Sequence, residues 1–212
     1  MTTTIDEVPP EWRERDARAG AQREAEQADL ERQRAAAREK LKAATGIPAK
    51  FLAIVDGGQV RDTKARAEVQ RGGFEILVLS GKVGNGKTVA GSRWLLDGLE
   101  EKRTPLFVTG PRLSRWDRYN NAEMDRLLLA SRLLIDDLGE EFNDTKGNFL
   151  AVLDETISDR LANNRPTIIT TNLDLEQFTE RYGLRVRDRI KESGRWVEFV
   201  EPSMRGQAPL EG

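Results

Sequence analysis

Gly81-Lys82-Val83-Gly84-Asn85-Gly86-Lys87-Thr88 fits the pattern G-x-x-x-x-G-K-[ST] at every position. The residues on either side set it between two kinds of element. The apolar run Glu75-Ile76-Leu77-Val78-Leu79-Ser80 predicts a buried strand, and residues 88–99 predict a helix. A glycine-rich turn in that setting can curl until successive backbone N–H groups point inward at phosphate oxygens. The N-terminus of the following helix adds about half a positive charge. The pattern therefore assigns Gly81, Lys82, Val83, Gly84, Asn85, Gly86, Lys87 and Thr88 to nucleotide binding. Lys87 is expected to reach the β- and γ-phosphates, and the Thr88 hydroxyl to hold Mg²⁺. The dinucleotide fingerprint is not met, because Val89 stands where a third glycine or alanine would follow Gly84 and Gly86.

Bulk composition narrows the chemistry further. Of 212 residues, 38% are hydrophobic and 33% charged, and the formal net charge is −2. This length suits one domain plus an appendage. A nearly neutral molecule does not attract nucleic acid as a whole, so DNA contact requires a local basic patch. Cysteine and histidine are both absent. That excludes disulfides, zinc sites of the usual type, Cys or His nucleophiles and imidazole acid–base work. Carboxylates, lysines and arginines remain as catalytic groups. No apolar run approaches membrane length, and Met1-Thr2-Thr3-Thr4-Ile5-Asp6 lacks a signal-peptide core. The default expectation is a cytoplasmic protein.

Residues 1–45 read as a charged helical extension and residues 46–212 as the compact domain. Within the extension, residues 11–44 are rich in Ala, Arg, Glu and Gln, and pairs such as Glu11/Arg15 and Glu14/Arg18 support a helix. Its large apolar residues are few: Trp12, Leu30 and Leu41. Such a helix buries no continuous stripe, so it either projects as a solvated extension or docks on a partner. Gly46-Ile47-Pro48 then punctuates the chain. Further strands are expected at Pro105-Leu106-Phe107-Val108-Thr109, Arg132-Leu133-Leu134-Ile135-Asp136, Thr167-Ile168-Ile169-Thr170-Thr171 and residues 195–200. Phe149, Val152, Leu153, Ile157 and Leu161 recur at helical spacing up to Asn163-Asn164-Arg165-Pro166. Asp174 with Gln177 reads as a helix cap, Gly183 as the end of that helix, and residues 184–193 as another. Alternating strands and helices imply an α/β fold with a mostly parallel sheet covered on both faces.

Leu133-Leu134-Ile135-Asp136-Asp137 delivers two acids to the C-terminal edge of that sheet, beside the glycine-rich loop. Asp136 is placed to hold Mg²⁺ through its water shell, and Asp137 to orient or deprotonate an attacking water. Asn172, after the next strand, reaches the same edge. Its neutral amide can hydrogen-bond a γ-phosphate or a water without repelling either.

The ordered set GKVGNGKT, LLIDDLG, RPTIITTN and GLRVRDRI, followed by Ser203-Met204-Arg205, resembles the DnaC/IstB-type AAA+ ATPases, which are bacterial and phage helicase loaders and transposition ATPases. Gly46-Ile47-Pro48-Ala49-Lys50-Phe51 also resembles the segment that opens their ATPase domain. The likeness covers roughly residues 46–206. It implies a three-layer P-loop NTPase fold with a five-stranded sheet ordered 5-1-4-3-2, bound ATP and Mg²⁺, and self-assembly with ATP at subunit interfaces. By the same likeness Asp136 and Asp137 form the Walker B pair and Asn172 the first sensor. Arg189, or alternatively Arg185, resembles the finger that enters a neighbour's site, and Arg205 the second sensor. The chain runs seven residues past Arg205, so no C-terminal lid is expected. Asp137 stands where many ATPases carry Glu, so slow turnover is expected.

Gly110-Pro111-Arg112-Leu113-Ser114-Arg115-Trp116-Asp117-Arg118-Tyr119 interleaves arginines with aromatics. If helical, it brings Arg112, Arg115 and Arg118 near one face, with Trp116 and Tyr119 available to stack on unpaired bases of single-stranded DNA. Alternatively Leu113 and Trp116 pack on the sheet and the arginines are solvated. The function these readings imply is an ATP-dependent loader of a replicative ring helicase, contacted through the N-terminal helix. A transposition ATPase coating duplex DNA and a nucleotide-switched adaptor with little turnover stand as alternatives.

Overall fold

The computed structural model describes residues 10–116, 121–141 and 148–199. Two compact units make up the chain, Met1–Leu41 and Lys42–Gly212. The first is built on α1 (Pro10–Ala44), a helix with no apolar face. It is supported along its own length by polar pairs four apart, such as Gln22 with Glu26 and Gln33 with Asp29.

In the second unit, α2 (Ala49–Asp56) and α3 (Lys64–Arg71) precede β1 (Ile76–Gly81) and α4 (Lys87–Glu100). Then follow β2 (Pro105–Thr109), α5 (Gly110–Leu113), α6 (Asn121–Leu129), β3 (Arg132–Leu138), α7 (Asn148–Ala162), β4 (Thr167–Thr171), α8 (Leu175–Ser193) and β5 (Gly194–Phe199). The strands lie in the order β2-β3-β4-β1-β5, which is the expected 5-1-4-3-2 read from the opposite edge. Every pairing is parallel, whereas the sequence suggested only a mostly parallel sheet. Alternate residues of β1 go to opposite faces. Leu77 and Leu79 pack with α2, α3 and α4, while Ile76 and Val78 pack with α6, α7 and α8. Burial on both faces is why the strands read as unbroken apolar runs.

Helices α2 and α3 are additions to the expected set. Both are short, and their burial rests on a few residues, chiefly Val55, Ala65 and Val69. Thr63 caps α3 by accepting the Arg66 N–H at 3.0 Å. The Asp174/Gln177 capping box opens α8, as the sequence indicated, and Gly183 (φ 84°, ψ 164°) interrupts that helix midway.

The N-terminal edge of the sheet is held by Arg160, near the end of α7 and only 1% exposed. Its guanidinium donates to Thr167 Oγ1 at 2.8 Å and to the carbonyls of Leu127 (2.9 Å), Ala130 (2.7 Å) and Pro166 (2.9 Å). Burial pulls its pKa down to about 9, still high enough for the group to stay charged at neutral pH. Among the described residues no helix is long and apolar enough to cross a membrane, and no cluster of three or more acids has metal-site geometry.

Candidate active site

At the opposite edge of the sheet the loop between β1 and α4 comes first. Gly81 has φ 132°, and a Cβ there would stand 2.3 Å from the Phe199 carbonyl oxygen, so β5 packs directly on the loop. Gly86 caps α4 in a left-handed conformation. Among the described residues the helix has neither a capping side chain nor an acid in its first turn. Its first N–H groups therefore face the loop without competition from a capping side chain, which is the donor set an anionic phosphate requires. Lys87 is buried at the start of α4 and donates to the carbonyls of Gly81 (2.5 Å) and Lys82 (2.9 Å), with Asn172 Oδ1 at 3.5 Å. Burial lowers its pKa, opposed by the charges of Asp137 and Asp136.

The two acids at the end of β3 differ in setting. Three steps along β3 (Ile135 to Leu138) match two along β4 (Ile169 to Thr171), so β3 carries one extra residue here. Asp137 takes φ 53° at this bulge. Strict alternation would send neighbouring side chains to opposite faces, and a bulge re-aims them. Asp136 is 2% exposed. Thr170 Oγ1 donates to its Oδ1 at 2.6 Å and accepts the Asp137 N–H at 3.0 Å, so one hydroxyl fixes both acids. Burial pushes the Asp136 pKa up to about 6, against hydrogen bonds from Thr170 and Thr88 and the charge of Lys87. Thr88 and Asp136, the two residues expected to hold Mg²⁺, thus lie near enough for the hydroxyl to ease the charge on the carboxylate. A hydroxyl beside a buried carboxylate is an oxygen-donor pair suited to a hard cation with a nucleotide as its third partner. Asp137 is exposed.

Asn172 arrives from β4 between these groups. Besides its approach to Lys87, its Nδ2 donates to Glu140 Oε1 at 3.3 Å. Lys87, Thr88, Asp136, Asp137 and Asn172 therefore meet at one edge. Three contributors were not anticipated: Thr170, Glu140 and Glu141. Thr170 reads in sequence as an ordinary β-branched strand residue. The pair Glu140-Glu141 after Gly139 reads as solvated loop, although Glu141 is buried.

The arginines lie apart from this group. Arg189 and Arg185, on the second half of α8, both engage Asp154 of α7, Arg185 at 3.4 Å. Arg187 pairs with its neighbour Asp188 at 2.5 Å. Arg205, Arg118 and Tyr119 lie outside the described residues. In the arginine–aromatic segment the helix ends at Leu113, so Arg115 does not extend a helical face from Arg112. Leu113 is buried, and Trp116 packs partly against the core with the Arg112 guanidinium 6.0 Å from its ring. That is the packing alternative for both apolar residues. Arg112 and Arg115 remain exposed.

Sheet order, glycine-rich loop and acid-bearing strand together give the fold of a P-loop domain with the strand order of AAA+ proteins. Its architecture is shared with DnaC-type proteins. A DnaI crystal structure is similar at TM-score 0.53 and 21% identity, over 65% of this chain and 86% of that one. The DnaC helicase loader gives 0.50 and 22%, over 63% and 85%. The replication initiator DnaA bound to AMPPCP and single-stranded DNA gives 0.58 and 13%, over 72% and 50%. At these identities the likeness is one of fold. No protein-family model matches the sequence, and no curated protein matches it significantly.

Proposed function

We propose that this protein is a magnesium-dependent AAA+ ATPase that delivers a replicative ring helicase onto single-stranded DNA. The observation that supports this most is the meeting of Lys87, the Thr88–Asp136 pair and Asn172 at one sheet edge. The fold likeness to a helicase loader and to a nucleotide-bound replication initiator adds to it.

In this reading the loop amides of residues 81–88 and the Lys87 ammonium bind and orient the triphosphate of ATP. Thr88 and Asp136 would hold Mg²⁺, which would supply positive charge against the triphosphate. Asp137, open to solvent, orients or deprotonates the attacking water. Asn172 hydrogen-bonds the γ-phosphate or that water without adding charge. Arg189, or Arg185, completes a neighbouring protomer's site once released from Asp154, and Arg205 senses the γ-phosphate in its own subunit. Protomers thus assemble with ATP between them. The one-carbon-shorter side chain at 137, relative to Glu, keeps turnover slow. Residues 1–45 contact the helicase, and Arg112, Arg115, Trp116 and Arg118 contact single-stranded DNA, with the arginines on phosphates and Trp116 contributing its exposed edge.

Calorimetry on folded protein with magnesium tests the core of the reading. ATP uptake is expected in the wild type and its loss in Lys87→Ala; no uptake by the wild type sinks the proposal. Capture of a purified ring helicase by the full chain, lost when residues 1–45 are deleted, tests the loader role. Long filaments on duplex DNA would instead favour a transposition ATPase. ATP binding without hydrolysis, with or without single-stranded DNA, would favour an adaptor.

A further inference from the structure

We infer that Glu141 is a positioning residue for hydrolysis, tying the acid-bearing loop of residues 137–141 to α8; this rests on the reading of that edge as an ATPase site. Its carboxylate is 4% exposed, and a carboxylate so deeply buried must be paired. The two oxygens divide the work. Oε2 accepts the Gly139 N–H at 2.8 Å, within the loop itself. Oε1 accepts Arg181 Nε at 2.8 Å and the Tyr182 hydroxyl at 2.5 Å, both on the first half of α8. Arg181 also donates from Nη2 to the Glu141 carbonyl at 2.5 Å. The start of α5 closes the third side. A Cβ on Gly110 would lie 2.9 Å from Glu141 Oε2 and 3.0 Å from the Asp137 carbonyl oxygen.

This arrangement matters because the loop carries the groups that face the γ-phosphate. Asp137 is exposed at a left-handed bulge, and Glu140 is bonded to Asn172. Thr170 fixes one end of the loop through the Asp137 N–H, and Glu141 fixes the other. A buried ion pair is weak support for stability but a strong constraint on geometry. A displacement of about 1 Å in a catalytic group can cost roughly a hundredfold in rate. Tyr182, whose pKa is raised by burial and then by Glu141, stays protonated and keeps donating. Glu141 also links this loop, through Arg181 and Tyr182, to the helix whose second half bears Arg185 and Arg189.

The test measures ATP affinity, single-site turnover and amide hydrogen exchange on the full chain carrying Glu141→Gln or Tyr182→Phe. Glu141→Gln is expected to lower kcat about tenfold to a hundredfold while the ATP Kd stays within about twofold. Exchange across residues 137–141 should quicken while residues 81–88 stay protected. Tyr182→Phe removes one bond of the set and is expected to lower kcat about threefold at unchanged Kd. If Glu141→Gln fails to fold, the Tyr182→Phe result decides. Wild-type kcat in the folded variants, or kcat and affinity falling in proportion, overturns the inference and leaves the site reading intact. A wild type that takes up no ATP overturns the site reading and this inference with it.

Discussion

The two edges of the sheet each bury a charge, and they treat it differently. At the N-terminal edge Arg160 spends its donors on Thr167 and on three of the carbonyls that end α6 and open β3 and β4. At the C-terminal edge Asp136 is as deeply buried, yet the hydroxyl of Thr170 bonds it at 2.6 Å with Thr88 nearby, and burial pushes its pKa up to about 6. One charge is saturated and structural. The other is under-compensated, held at a cost that a cation would relieve.

The largest effect should come from breaking the saturated edge. Arg160→Met leaves several buried carbonyls and a hydroxyl without donors, and a loss of about 3–5 kcal/mol is expected in urea unfolding. A loss under about 1 kcal/mol would put the two edges on the same footing. Next, Asp136→Asn should stabilise the magnesium-free protein while abolishing hydrolysis. The folded-state pKa lies above the ordinary 3.8, so the folded protein holds this proton more tightly than the unfolded chain. Its stabilising contribution is full below about pH 4 and is lost as pH rises through about 6. The variant should therefore gain about 2–3 kcal/mol at pH 7.5, shrinking to nothing near pH 4. A gain that ignores pH would disconnect it from this carboxylate.

Thr170→Val sharpens the contrast from within the C-terminal edge. It removes the hydroxyl shared by the two acids, so about 1–2 kcal/mol of stability should go. The Asp136 pKa should climb further, read as a shift to higher pH in the stability profile. The smallest effect is expected at Asp174→Ala, which removes the cap of α8 on the same edge. A loss of about 1 kcal/mol without change in ATP affinity would show that nearness to the site is not membership of it.

Much of this edge was legible in sequence because its parts are local. The loop needs fixed glycines, the acids end an apolar strand, and Gly183 announces the break in α8. Strand order came from the resemblance rather than from any single residue. What escaped has its meaning only in three dimensions. Thr170 looks like any residue chosen for β propensity until β3 bulges beside it. Arg160 looks like a solvated charge beside Ile157 and Leu161, and two of its carbonyl partners lie 33 and 30 residues back along the chain. Glu141 sits in an acidic, glycine-flanked stretch whose pattern predicts exposure, and its side-chain partners lie 40 and 41 residues downstream. Helices α2 and α3 are too short for periodicity to announce.

The break at Gly183 falls between Tyr182, which holds the loop through Glu141, and Arg185, which meets Asp154. Its dihedrals lie in a region that essentially only glycine occupies, although nothing stands within 4 Å of where a Cβ would be. The restriction there is torsional, not spatial. A side chain at 183 would therefore meet no neighbour and still strain the backbone, while Val186 and Ile190 keep the rear segment of α8 buried against the core.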